Sequence, residues 1–164
     1  DIRPVPDSFH ARYAAHAKTY HYYLLNARVD DPFLFDTCHR IWPALDLAAM
    51  QAAAAKFVGT HDFSALCASG SSAAAHGDTV RTITDCTVVQ SGDLFTISVT
   101  ADGYLYNMVR ILAGTLVQAG LHKRTPDSIP PLLESRDRKQ AGPTLPAKGL
   151  FLEKVDYPNL AGVL

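Results

Sequence analysis

The sequence predicts an α+β fold on the ferredoxin-like (βαββαβ) plan, an antiparallel sheet with helices on one face. Three observations point there. Leu94–Ala101 puts Phe95, Ile97, Val99 and Ala101 on one side and Thr96, Ser98 and Thr100 on the other, the period-two signature of a half-buried strand. Gln90-Ser91-Gly92-Asp93 links that strand to Thr82–Val89, so the two read as a hairpin. From Tyr104 to Val117, Arg110 is the sole charge among Leu105, Met108, Val109, Ile111, Leu112 and Leu116, which marks a helix apolar on nearly all sides and therefore buried.

The remaining elements follow in chain order. Thr19 to Leu25 alternates tyrosine and leucine with few breakers and reads as the first strand. Asp46 can cap a helix running to Val58, with Leu47, Met50, Ala54 and Phe57 on one stripe and Gly59 as its stop. The apolar helix opens at Asp102 or Gly103 and ends near Gly120. A proline-bounded short helix follows at Asp127 to Leu133, and Gly149 to Val155 closes as a strand. Residues 68–79, rich in alanine, serine and glycine, read as a flexible surface loop within one domain spanning 1–164.

Composition narrows the functional classes. With 48% hydrophobic and 19% charged residues over 164 positions, the chain can fill one core and is no disordered tail. The longest apolar stretch, Ile111 to Val117, is too short to span a bilayer. Three widely spaced cysteines, Cys38, Cys67 and Cys86, suit neither a disulfide framework nor a zinc site, which favours a reduced cytoplasmic protein. The net charge of −1 hides an uneven distribution: residues 1–28 carry four bases and two acids, 29–109 three and nine, 110–148 seven and three. Two basic segments flanking an acidic middle can fold into one face for a polyanion, or simply dress a mixed solvated surface.

The candidate residues follow from this chemistry. Arg110, in the middle of a greasy helix, must either snorkel to water along its own stem or meet a carboxylate. Removing the partner of a buried guanidinium costs roughly 3–5 kcal/mol, so the second case makes it an orienting group for an acid. Lys18-Thr19-Tyr20-His21-Tyr22-Tyr23 mixes aromatic and basic residues in one strand, as sheets that stack nucleobases do and as ordinary sheet cores also do. Thr60-His61-Asp62-Phe63-Ser64 holds the side-chain types of a hydrolase relay, but sequence neighbours rarely have that geometry. The seven histidines have no ligand spacing, and no phosphate loop or nucleophile elbow is present.

Several segments together resemble one family. They are Phe9-His10-Ala11-Arg12-Tyr13, Ala17-Lys18-Thr19-Tyr20-His21-Tyr22, Phe57 through Ala65, Val80-Arg81-Thr82-Ile83, Asn107-Met108-Val109-Arg110-Ile111 with Gly114-Thr115-Leu116, and Ala141-Gly142-Pro143-Thr144 through Leu150. In order and spacing they resemble the C-terminal half of the catalytic domain of TruA-type tRNA pseudouridine synthases, along nearly the whole chain. The resemblance implies isomerisation of uridine to pseudouridine in the anticodon arm of tRNA, at positions thirty-eight to forty, by a homodimer using neither cofactor nor metal. It implies that Tyr20 packs on the target base and helps remove the C5 proton, and that Arg110 pairs with the catalytic aspartate. Lys148, Gly149 and Leu150 would belong to the last active-site motif, with Leu150 beneath the base. The charge of the basic segments around Arg12, Lys123 and Arg124 makes them candidates for phosphate contacts.

One departure stands out. The family's nucleophile is an aspartate in an Arg-Thr-Asp-x-Gly-Val-His type motif, which this sequence does not contain, and none of Asp62, Asp78, Asp85 or Asp102 stands in that context. The expectation is therefore a fragment without the N-terminal half, inactive alone. A non-catalytic RNA-binding module of the RRM type, using the open face of the sheet, is the alternative, although the usual glycine-aromatic pattern is missing.

Overall fold

The computed structural model describes residues 5–70 and 76–157. Its strands are β1 (Ala17–Leu25), β2 (His39–Arg40), β3 (Gly59–Asp62), β4 (Val80–Ser91), β5 (Leu94–Ala101) and β6 (Leu150–Asp156). Its α-helices are α1 (Leu47–Ala55), α2 (Met108–Gly120) and α3 (Ile129–Ser135). The sheet order is β2-β1-β5-β4-β3, with β6 also paired to β1. The run β6-β1-β5-β4 is antiparallel throughout and is the strand order of the βαββαβ plan, so the predicted α+β class holds.

The core forms on one face. Tyr22 and Leu24 of β1 lie with Phe95, Ile97 and Val99 of β5 and with Cys86 and Val88 of β4. Met50, Ala53 and Ala54 of α1 and Ile111, Leu112 and Leu116 of α2 cover them. The alternation in β5 is complete: its core-side residues are buried and its threonines and serine are half-buried. On the uncovered face Thr19 bonds Thr100 through their hydroxyls at 2.9 Å, and the rings of Tyr23 and Phe151 meet at 5.3 Å.

The local signals act largely as read. The Asp46 carboxylate accepts from the Ala49 N–H at 3.0 Å, capping α1, which stops at Ala55 just before Gly59. At the hairpin Ser91 pairs with Leu94, so Gly92 and Asp93 make the turn, and Gly92 takes the φ of +58° that glycine tolerates. The short helix appears as a 3-10 turn at Pro126–Ser128 running into α3.

The start of the apolar helix differs from the expectation, and two strands appear that the sequence did not announce. The apolar helix opens at Met108, not Asp102 or Gly103, because the Tyr104 hydroxyl, with one proton to share between the carbonyls of Lys18 and Val99, each 2.7 Å away, ties the chain across β1 and β5 first. Asn107 then turns with a φ of +60° to start the helix. Gly59–Asp62 is an edge strand paired to β4, and His39–Arg40 runs parallel to the end of β1. Of the loop assigned to 68–79, residues 71–75 lie outside the described residues.

Two motifs interlock where α2 meets the segment before β6. A Cβ on Gly114 would lie 2.0 Å from the Pro143 carbonyl oxygen, and one on Gly142 would lie 2.4 Å from the Thr115 nitrogen. Thr115 seals the contact: its hydroxyl donates to the Ile111 carbonyl at 2.8 Å and accepts from the Gly142 N–H at 3.0 Å. Only glycine allows backbones this close. The chain from Thr144 to Gly149 is thereby delivered beside Arg110.

Candidate functional site: an aromatic, cationic cleft on the first strand

The core-side face of β1 carries Lys18, Tyr20 and Tyr22 in succession, since side chains two apart share a face. Tyr20 is half-buried and packs against the edge of the core. It stands edge-on to Tyr104, with ring centres 5.0 Å apart, and pairs with Val99 on one side and Leu152 on the other. The β1–β6 register shifts between Thr19 and Tyr20, so Glu153 is the extra residue of a bulge. Bulges of this kind re-aim side chains beside functional sites.

A cleft of about 450 Å³ opens over Tyr20, lined also by Arg12, Lys18, Tyr104, Leu152 and Tyr157. That size suits a small organic ligand. The segment Phe9–Tyr13 supplies Arg12 by folding on itself: His10 Nδ1 accepts from the Arg12 N–H at 3.2 Å, and the Ala14 N–H donates to the His10 carbonyl at 2.8 Å. Tyr157 holds this segment down, donating to the Ala11 carbonyl at 2.9 Å and packing its ring on Phe9 at 5.3 Å. Burial, reinforced by the neighbouring Tyr20, drives the Tyr104 phenol well above its ordinary pKa and keeps it a neutral donor.

Arg110, on α2, faces Tyr22 of the same strand. Every residue of α2 is buried except Arg110 and Gln118. Its Nε donates to the Leu145 carbonyl at 2.6 Å and its Nη1 to Asn107 Oδ1 at 2.8 Å. The side chain is therefore half-buried and fixed, not loose in solvent, and among the described residues no carboxylate lies within 4 Å of it. Tyr22, fully buried, donates to the adjacent Pro146 carbonyl at 2.7 Å. Burial pushes the Tyr22 phenol far up, and the Arg110 charge opposes that shift, which places the guanidinium within electrostatic reach of the ring. Arg110 and Tyr22 thus grip two successive carbonyls of one segment.

The other residues expected at the site divide. Gly149 lies under Tyr22, where a Cβ would come within 2.9 Å of the ring, and half-buried Leu150 pairs with Tyr22 in the sheet. Lys148 leaves in another direction: its ammonium bonds the Phe35 carbonyl and stands 4.2 Å from the centre of that ring. Arg12 joins Tyr20 in the cleft. Of the weaker basic candidates, Arg124 bonds the Gln140 carbonyl, and burial lowers its pKa. In the Thr60–Ser64 stretch Asp62 accepts from the Ser64 N–H at 3.0 Å and meets Arg136 at 3.0 Å, while His61 turns to the Val58 carbonyl. No proton relay forms there. Burial alone would raise the Asp62 pKa, but hydrogen bonds from Thr79 and the Ser64 N–H, with the Arg136 charge, bring it below the usual range.

Sequence reading missed Lys18, Tyr104 and Tyr157 as lining residues and Tyr22 as a clamp. Lys18 and Tyr22 stood inside a motif already singled out, whereas Tyr104 and Tyr157 become visible only through the pairing of β1 with β5 and β6.

A split βαβ sheet with an aromatic, cation-rimmed cleft along its first strand defines the class of α+β, ferredoxin-like proteins. The model of the tRNA pseudouridine synthase family matches residues 53–158, and the chain belongs to that family. It is 46% identical over 157 residues to tRNA pseudouridine synthase A of Acetivibrio thermocellus, covering 96% of this chain and 63% of that protein. Its identity to the proteins of the same name from Thermoanaerobacter sp. strain X514 and Moorella thermoacetica is 44%, over 94% and 95% of this chain and 62% of each relative. The chain therefore spans just over six-tenths of the length of these curated relatives. Among the described residues no helix is long and apolar enough to cross a membrane.

Proposed function

We infer that the protein to which this chain belongs isomerises uridine to pseudouridine in the anticodon stem-loop of tRNA, at positions thirty-eight to forty. The observation that carries this reading is the cleft over Tyr20, on the strand whose Tyr22 lies within electrostatic reach of the fixed Arg110, in a chain of the tRNA pseudouridine synthase family. The names of the relatives agree with it.

The reaction breaks the bond from ribose C1′ to uracil N1 and makes one from C1′ to C5; C5 loses its proton, N1 gains one, and any carboxylate bonded to C1′ leaves as C5 rejoins. An aspartate carboxylate attacks at or near C1′, the uracil turns, and it rejoins through C5. No aspartate of this sequence stands in the family's nucleophile motif, so the carboxylate comes from the part of the relatives' length that the chain does not span. Arg110 receives it: with Nε and Nη1 engaged by Leu145 and Asn107, Nη2 remains for a charge-assisted bond. A cation bonded to the carboxylate keeps it ionised and aimed. Tyr20 holds the detached base by its ring and is the candidate general base at C5. Drawing a paired uridine out of the stack costs a few kcal/mol, which contacts to the phosphates offset. Arg12 is one such contact; Lys148, Gly149 and Leu150 shape the segment that Arg110 and Tyr22 hold. The reaction uses no cofactor or metal, the protein works in the cytoplasm as a homodimer, and this chain alone turns nothing over.

Tritium release from tRNA labelled at uridine C5 tests the last point. The expected result is no release above background from the chain alone. Release by the purified chain would overturn the assignment of the nucleophile.

A further inference from the structure

A second cleft, of about 550 Å³, adjoins the one over Tyr20 and shares Arg12, Lys18 and Tyr104 with it. We propose that this second cleft takes the nucleotide next to the target uridine, with Lys18 and Arg12 straddling the phosphodiester between the two. The proposal rests on the functional reading above and extends it to a neighbouring subsite.

Four features support it. First, the two shared cations are uncommitted: among the described residues neither Lys18 nor Arg12 has a carboxylate within 4 Å. Second, both acids of the cleft have protein partners. Asp78 is held by Arg81 through two bonds of 2.9 and 3.2 Å, and Asp102 accepts from the Thr82 N–H at 3.0 Å. Third, the wall between the clefts is Tyr104, fixed by its two hydrogen bonds, so the cations beside it stand at a rigid boundary. Fourth, the second cleft has its own exposed ring: Tyr13 is 76% exposed, with the Arg12 guanidinium 5.7 Å from its centre. Aromatic platforms with cations between them are how single-stranded nucleic acid is held, rings taking bases and cations the backbone. Tyr20 and Tyr13 are the platforms here, and Lys18 and Arg12 the cations between.

The test is binding of a fluorescently labelled anticodon stem-loop RNA, titrated over a range of KCl concentrations. Lys18→Ala should weaken binding several-fold at low salt and reduce the slope of log affinity against log salt by about 0.7 to 0.9, the value of one phosphate contact. Lys18→Arg should keep the slope, and Lys56→Ala, whose ammonium pairs with Asp127 on the helix side, should leave it unchanged. A second probe leaves the protein unaltered: RNA with a neutral methylphosphonate linkage on one side of the target uridine should bind less tightly to the unaltered chain, and the loss should be smaller for Lys18→Ala, where Arg12 alone still meets that phosphate. Tyr20-dependent binding with a slope untouched by Lys18→Ala, and no loss from either neutral linkage, overturns the subsite and leaves the functional reading standing. No binding by the unaltered chain, or binding that ignores Tyr20→Ala, overturns both.

Discussion

Removing one oxygen atom, by Tyr22→Phe, tests how the site is held. The ring is fully buried and its hydroxyl donates to the Pro146 carbonyl at 2.7 Å, so phenylalanine fills the same space and deletes only the donor. A typical intramolecular hydrogen bond contributes about 0.5–1.5 kcal/mol, and leaving a buried acceptor unpaired adds to the loss, for an expected cost of about 1–2 kcal/mol. With a urea m-value of about 2 kcal/mol/M, the unfolding midpoint should fall by roughly 0.5–1 M at unchanged m. The neighbouring carbonyl, Leu145, is held by Arg110 at 2.6 Å, so the two side chains act on one rigid segment. A double-mutant cycle with Arg110→Met should therefore show a coupling of at least about 0.5 kcal/mol. A loss below about 0.3 kcal/mol, or strictly additive single variants, would refute the idea that these side chains clamp the Leu145–Gly149 segment together.

Two further outcomes follow from the geometry. Gly114→Ala should lower stability by about 1–3 kcal/mol or more, because the new methyl would lie 2.0 Å from the Pro143 oxygen and the backbones must part; urea unfolding measures it, and near-wild-type stability would contradict the close approach. Burial, helped by the charges of Lys148 and Arg40, lowers the His39 pKa below its ordinary 6.5 in the folded chain. The unfolded chain then binds more protons, so this contribution to stability is complete above pH 6.5 and is lost as pH falls through the folded value. His39→Gln should flatten the stability profile between pH 7 and 5, and an unchanged slope there would count against it.

Much of the fold is legible in sequence wherever one element carries its own signal. The alternation in Leu94–Ala101, the Asp46 cap and the glycine at the hairpin turn each act locally, and each appears as read. Elements defined by distant partners are not legible. His39–Arg40 becomes a strand only because Leu24 and Leu25 lie alongside it, and Gly59–Asp62 lacks an apolar alternation because it is an edge. Likewise the start of α2 is set by a tyrosine bonding two other strands, which no helical periodicity reports. At the site, Arg110 was visible as a charge in an apolar helix. Its actual partners are a carbonyl 35 residues away and an amide one turn back, so its fixity belongs to tertiary structure.

The cleft on the covered side of β1 and the open face of the sheet make opposite demands on two tyrosines of one strand. Tyr20 lines the cleft, whereas Tyr23 stands on the open face beside Phe151. Affinity for a uridine-containing anticodon stem-loop RNA, measured with Tyr20→Ala and Tyr23→Ala side by side, separates them. Stacking of one base contributes about 1–3 kcal/mol, so Tyr20→Ala should bind roughly 5- to 150-fold more weakly while Tyr23→Ala stays within twofold of the unaltered chain. The reverse pattern would place the RNA on the open sheet and contradict a uridine site at Tyr20.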